Sequence, residues 1–354
     1  MLQVLLFFSV FSIQSAVSTV SHESPLFNTG FLSDPERVSS HLEEKGFYRV
    51  SVSSNGPTLE GFFLNRKGEK TVIAVAGFLP GKITGMATLY ELIPDTYNIL
   101  LVNLRGKGNS DGRTSLYTLW RYGVDEYRDV CAAIEFAHAQ LPHASIIMHG
   151  ICAGGFHVMK AIAHLAQHNK QLYNSIEHAV IDSSFSSIIK TGRTAICGEI
   201  DKQCRRLYCG SIFACTLKAT YLAFNITVAS PLMYMNSSEL IITPAMLQRA
   251  AQKCHFTFIH GTGDCYAPLA DIQKLIQHLE RHQYSTHYFN ENSHASLHLK
   301  FQKEYKRILH KLTSNTDQQH YYYGPLYSLL KKPYTPNVDT SLRMLTRASV
   351  LVKT

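Results

Sequence analysis

The chain lacks the marks of several large functional classes. Its 34 Lys and Arg exceed its 26 Asp and Glu for a net charge of +8. Those basic residues are scattered, and no module interleaves them with stacked aromatics. Such a pattern reads as a solvated surface and argues against a nucleic-acid partner. No glycine-rich stretch has Walker or dinucleotide-fingerprint spacing; Leu104–Gly112, with three glycines, reads as a structural turn, so no cofactor is expected. Histidine is plentiful at 18, yet no two stand with carboxylate or thiol partners at ligand spacing, and no metal is expected. Nor does any run approach the roughly 20 apolar residues of a spanning helix, so no stable membrane span is expected.

One uncharged stretch has a meaning of its own. No charged side chain occurs before Glu23, and Leu2 to Ile13 is mostly Leu, Phe and Val. Ala16 and Ser18 have the spacing that signal peptidase accepts, which predicts a signal peptide over 1–18 and a secreted or periplasmic protein. An uncleaved anchor is the alternative, disfavoured because Gln3, Ser9, Ser12, Gln14 and Ser15 interrupt the run. Of the 8 cysteines, Cys197, Cys204, Cys209 and Cys215 cluster as in a locally stapled excursion. Four cysteines allow three pairings, and the absence of a C-x-x-C pair there favours disulfides over zinc. Asn225 and Asn236 begin sequons that matter only in a eukaryotic secretory pathway.

Hydrophobic residues make up 45% of the chain, ample for a buried core. Tyr48–Ser53 and Thr58–Asn65 alternate like an antiparallel pair of edge strands, turned at Asn55-Gly56-Pro57. Thr71–Ala76 is an uninterrupted apolar run suited to a strand buried on both faces. A helix around Thr84–Ile93, a strand at Asn98–Asn103 and a helix over Thr118–Leu141 follow. Alternation of this kind predicts an α/β fold with a doubly wound, mostly parallel sheet.

The chain is organised around Ser145 to His168. Strand Ser145–Met148, the turn Gly150-Ile151-Cys152-Ala153-Gly154-Gly155 and helix Phe156–His168 have the form of a nucleophile elbow, with small residues two before and two after the centre. Cys152 holds the central place, which predicts a thiol nucleophile; a small core cysteine is the alternative. Gly77-Phe78-Leu79-Pro80-Gly81 closes a central strand and can aim backbone N–H groups at an oxyanion. The Phe78 N–H, or Leu79 in its place, would join that of Ala153 there. An ordinary turn is the other reading of that loop.

Taken together, Val75-Ala76-Gly77-Phe78, Asn103-Leu104-Arg105-Gly106-Lys107-Gly108-Asn109-Ser110-Asp111-Gly112 and Gly150-Ile151-Cys152-Ala153-Gly154 resemble the oxyanion loop, glycine-rich turn and elbow of the α/β-hydrolase family, over Tyr48 to Leu312. Ala76, Asn103 and Cys152 depart from that family's usual His, Asp and Ser. The last departure resembles dienelactone hydrolase and a few acyl-transfer members. The resemblance implies the chain order nucleophile, acid, base. His260-Gly261-Thr262-Gly263-Asp264, after a strand at Cys254–Ile259, resembles the family's acid loop, with Asp264 as the acid. Asn290–Ser296, after a helix at Leu269–His282 and a strand at Ser285–Phe289, presents His294 as the base. Asp182, ending a strand at Glu177–Ile181, is the rival acid; His287 and His298 are lesser rivals of His294. Cys265 is either inert or a disulfide partner for Cys152.

The resemblance further implies a helical lid inserted at about 186–250, within a domain over 46–312. The tail 313–354 reads as an extended segment lying on the body or a partner contact. Expected activity is cleavage of ester or thioester bonds in a small-molecule or acyl substrate through an acyl-cysteine, as in a carboxylesterase or thioesterase. A thiolate is also a good leaving group, so its adduct with an amide collapses backwards. Acyl transfer at the same site and a non-catalytic binding scaffold are the alternatives.

Overall fold

The computed structural model of the chain describes residues 35–54, 56–77, 86–112, 123–192, 194, 216 and 237–312, and the backbone of 320–323. The expected signal peptide, Phe78 and Leu79, the four-cysteine cluster, both sequon asparagines and most of the tail lie outside the described residues.

Among the described residues nine strands form one sheet: Tyr48–Ser53 (β1), Thr58–Leu64 (β2), Lys70–Val75 (β3), Asn98–Val102 (β4), Ser145–Ile151 (β5), Ile176–Asp182 (β6), His255–Gly261 (β7), Tyr284–Phe289 (β8) and His320–Tyr323 (β9). Their order is β1-β2-β4-β3-β5-β6-β7-β8-β9. β2 runs antiparallel to β1 and to β4, while every pairing from β4 to β9 is parallel. Of the two expected edge strands only β1 lies at the edge. β2 is paired on its far side by β4, and Gly61 to Leu64 are buried without alternation because Phe63 packs in one apolar layer and Phe62 and Leu64 in the other.

Side-chain alternation sorts the strands between two apolar layers. Ile73, Val75, Ile146 and Met148 face one layer with the helices Glu126–Gln140 and Ala153–His168. Val72, Ala74, Ala76, Ile147 and Ile151 face the other, with Tyr305 and Leu309 of the helix Gln302–Lys311. Helices on both faces explain why β4 is buried throughout and apolar from Ile99 to Val102. The sheet is therefore doubly wound.

Side-chain hydrogen bonds tie the glycine-rich turn into the fold. Arg105 forks onto Asp129, with Nη2 to Oδ1 at 2.6 Å, and Asp129 also accepts from Ser54 Oγ at 2.8 Å. Asn103 donates through Nδ2 to Glu60 Oε2 at 2.7 Å. Three expected helices are shorter: in the described residues Ala87–Glu91 is a 3₁₀ turn, the helix before the elbow strand begins at Glu126, and the helix from Leu269 ends at Ile276.

The expected lid region differs at its far end. Its ends meet where Ser187 bridges Ile241 and the Ile242 N–H donates to Ser186 O at 2.7 Å. Beyond that neck, Pro244–Ala250 is a core helix with Leu247 and Ala250 fully buried. Pro244 reads as a breaker in sequence, but at a first helical position its missing N–H costs nothing, and Thr243 caps the helix by accepting from Met246 N at 3.2 Å. Residues 244–250 of the expected lid region are therefore part of the core. Lys160 of Ala153–His168, itself buried, fastens the neck through Nζ to Glu239 Oε2 at 2.7 Å.

Candidate active site

The elbow begins with a forced conformation. Cys152 has φ 56° and ψ −122°, a region that non-glycine residues avoid. The close approach of strand and helix imposes it. A Cβ on Gly150 would lie 2.6 Å from Gly155 Cα, and one on Gly154 would lie 2.2 Å from Val75 O. Both small residues expected from the turn are therefore required. The Cys152 N–H is fixed by Asp182 O at 2.8 Å.

Two loops bring the partners. β7 and β8 are adjacent and parallel, so the loops leaving their carboxyl ends lie side by side. The first carries Asp264, whose carboxylate is fully buried. Its Oδ1 accepts from the Tyr266 and Ala267 N–H groups, each at 3.0 Å. His260, on β7, steadies this loop by donating from Nε2 to Ala267 O at 2.6 Å. The second loop carries His294, with Nδ1 2.7 Å from Asp264 Oδ2 and Nε2 3.0 Å from Cys152 Sγ. Those partners place a proton on Nδ1 and leave Nε2 to exchange one with the thiol. Burial opposes a charged His294 ring, but the Cys152 charge and the Asp264 hydrogen bond outweigh it and hold its pKa well above the usual value.

The structure thus brings Cys152, His294 and Asp264 into one chain of contacts. Ala153 is the first residue of its helix, where an N–H has no intrahelical acceptor. Gly77, two residues after β3, lies against the elbow, for a Cβ there would lie 2.8 Å from Cys152 Cβ. The rival acid, Asp182, is bonded elsewhere: its carboxylate accepts from Ser183 Oγ at 2.8 Å and from the Tyr305 hydroxyl at 2.9 Å. His287 lies within β8, and buried His298 packs its ring on Tyr305 at 5.9 Å.

Cys265 is an exposed free thiol, as Cys131, Cys152 and Cys254 are free, so no Cys152–Cys265 disulfide is formed. Two buried groups escaped the sequence reading: Tyr305, whose helical position carries no motif, and His157, fully buried one turn into the elbow helix. Among the described residues no cluster of three or more His, Cys, Asp or Glu could hold a metal, and no helix is long and apolar enough to cross a membrane.

No protein-family model and no curated protein matches the chain. Among solved structures it is similar to an esterase from Pyrococcus furiosus, with a TM-score of 0.53 and 17% identity over 83% of this chain and 94% of that one. It is also similar to a proline iminopeptidase from Mycobacterium smegmatis, with a TM-score of 0.51 and 15% identity over 76% of this chain and all 100% of that one. At these identities the likeness establishes the fold alone, and the fold is the α/β-hydrolase fold.

Proposed function

We propose that the protein is an exported hydrolase of ester or thioester bonds, working through an acyl-cysteine at Cys152. The observation that carries this reading is the unbroken contact from Cys152 Sγ through the His294 ring to Asp264, at 3.0 and 2.7 Å. In the first step His294 Nε2 takes the thiol proton, while Asp264 fixes the tautomer and stabilises the imidazolium. Sulfur then attacks the substrate carbonyl, and the tetrahedral oxyanion is received by the N–H groups of Ala153 and of Phe78 or Leu79. Collapse breaks the bond to the alcohol or thiol, which leaves with the proton from His294. A water deprotonated by the same nitrogen attacks the acyl-thioester and frees Cys152.

Leaving-group chemistry favours esters and thioesters over amides, since a thiolate leaves an amide adduct more readily than an amine does. The esterase among the structural neighbours agrees with that class. Strain at Cys152, on the order of 1–3 kcal/mol, weighs against a lapsed scaffold, which has no use for it. Export rests on the uncharged apolar stretch before Glu23. The test is turnover of a panel of short-chain esters and thioesters by wild type and Cys152→Ala. Loss of all turnover in the variant is expected, and retention of it would contradict the proposal. Faster release of the first product on adding an amine or alcohol acceptor would identify acyl transfer instead.

A further inference from the structure

Beneath the elbow lies a second buried polar chain that the steps above do not use. Asp182 ends β6, and its backbone carbonyl accepts the Cys152 N–H at 2.8 Å. Its side chain is buried, with one carboxylate oxygen accepting from Ser183 Oγ at 2.8 Å and the other from the Tyr305 hydroxyl at 2.9 Å. Tyr305, fully buried in the helix Gln302–Lys311, accepts in turn from His149 Nε2 at 2.7 Å. His149 stands in β5 three residues before Cys152. The chain therefore ties together the elbow strand, its neighbour and the helix behind the base. Polar groups in such a place cost desolvation that apolar ones would not, which points to a use beyond packing.

The charges around Asp182 define that use. His149 from β5 and His298 from the short helix Leu297–Lys300 are kept neutral by burial, pushed down to about 3 and about 4. His294 from the loop after β8 favours an ionised Asp182, and Asp264 from the loop after β7 opposes it. Tyr305 stays protonated, since burial beside the Asp182 charge raises it well above the usual tyrosine value.

We propose that Asp182 is a positioning residue for the Cys152–His294 pair: its carbonyl fixes the elbow amide, and its carboxylate, held by Ser183 and Tyr305, is a second negative charge supporting the protonated imidazole. The inference rests on the acyl-cysteine reading above. Interaction between the two charges is reciprocal, so whatever ionises Asp182 also favours the His294 cation. Burial lifts the Asp182 carboxyl to about 6, against the pull of its two hydroxyl donors. Below that value the support is withdrawn. Removing either donor weakens the ionised form and moves the withdrawal to higher pH.

The experiment is the rate of Cys152 alkylation by iodoacetamide between pH 5 and 9, followed by intact mass with the site mapped on peptides. It compares the full-length wild type with Tyr305→Phe and Ser183→Ala. The expected result is an upward move of the acid-side midpoint by about one pH unit in each variant, with several-fold greater loss at pH 5.5 than at pH 8. Profiles that superimpose on wild type, or fall by one factor at every pH, overturn the role of Asp182. Should one variant fail to unfold cooperatively, the other decides, because Ser183→Ala leaves the packing of Tyr305 untouched. A wild-type Cys152 that reacts no faster than free cysteine at any pH overturns the acyl-cysteine reading itself, and is distinct from a fast but unshifted thiol.

Discussion

Asp264 Oδ2 stands 2.7 Å from His294 Nδ1, although 30 residues separate them in the chain. The parallel pairing of β7 with β8 makes them neighbours. The two backbone N–H groups that hold Asp264 Oδ1 leave Oδ2 free to serve the ring. Asp264→Asn keeps the shape but allows an amide N–H to face Nδ1, favouring the wrong tautomer. Ester turnover is expected to fall by on the order of 10³ or more with little change in thermal stability. A loss under tenfold would show that His294 does not need this partner.

His294 should report the thiol directly. Its raised pKa withstands burial through the Cys152 charge and then the hydrogen bond to Asp264. Cys152→Ala removes the first of these supports while leaving the second. The His294 titration midpoint, followed by NMR of the ring Cε1–H, is expected to move down in that variant. The sign for stability follows: a charged His294 stabilises the fold in full below its unfolded value of about 6.5, and this is lost as pH rises through the folded value. An unmoved midpoint would mean that thiol and ring are not coupled.

The elbow tolerates no added carbon at Gly154, where a Cβ would lie 2.2 Å from the backbone oxygen of Val75. Neither partner can yield without shifting β3 or the elbow helix. Gly154→Ala is expected to destabilise the protein by about 2–3 kcal/mol and to slow Cys152 alkylation, measured by chemical unfolding and by mass. Wild-type stability in this variant would contradict the close approach.

His157 is fully buried, and neither ring nitrogen is hydrogen-bonded among the described residues. Burial lowers its pKa to about 3, so it stays neutral in the fold. His157→Leu is expected to stabilise the protein by about 1–3 kcal/mol at pH 7.5, by removing unsatisfied polar atoms. Between about pH 3 and 6.5 the unfolded chain binds a proton here that the native one refuses, so wild-type stability falls as pH drops. The gain at pH 5 should therefore be larger by about 2 kcal/mol. Destabilisation equal at both values would assign His157 a packing role that leucine cannot fill.

Much of this was legible in sequence because local chemistry and tertiary position coincide. Apolar runs gave β3 to β8 to within a few residues, and the glycines around Cys152 required the strained turn that is found. His294 and Asp264 were named through a resemblance, and no local feature separated His294 from 17 other histidines. What periodicity could not give was the far side of the sheet. Tyr305 and His149 meet across 156 residues, and each alone reads as an ordinary helix or strand position. Pro244 misled for a related reason, since a proline that starts a helix and one that ends it look alike until the Thr243 cap is seen. β2 reads as an edge in sequence because its partner β4 comes later in the chain and inserts between it and β3.

The most direct test of the account is intact mass of the purified protein after brief exposure to an activated ester, for wild type, Cys152→Ala and His294→Ala. The account predicts one acyl group on wild type, mapped to Cys152 and lost with time as water cleaves it, and none on either variant. Equal acylation of all three proteins, or acylation of exposed Cys265 with Cys152 untouched, would contradict it.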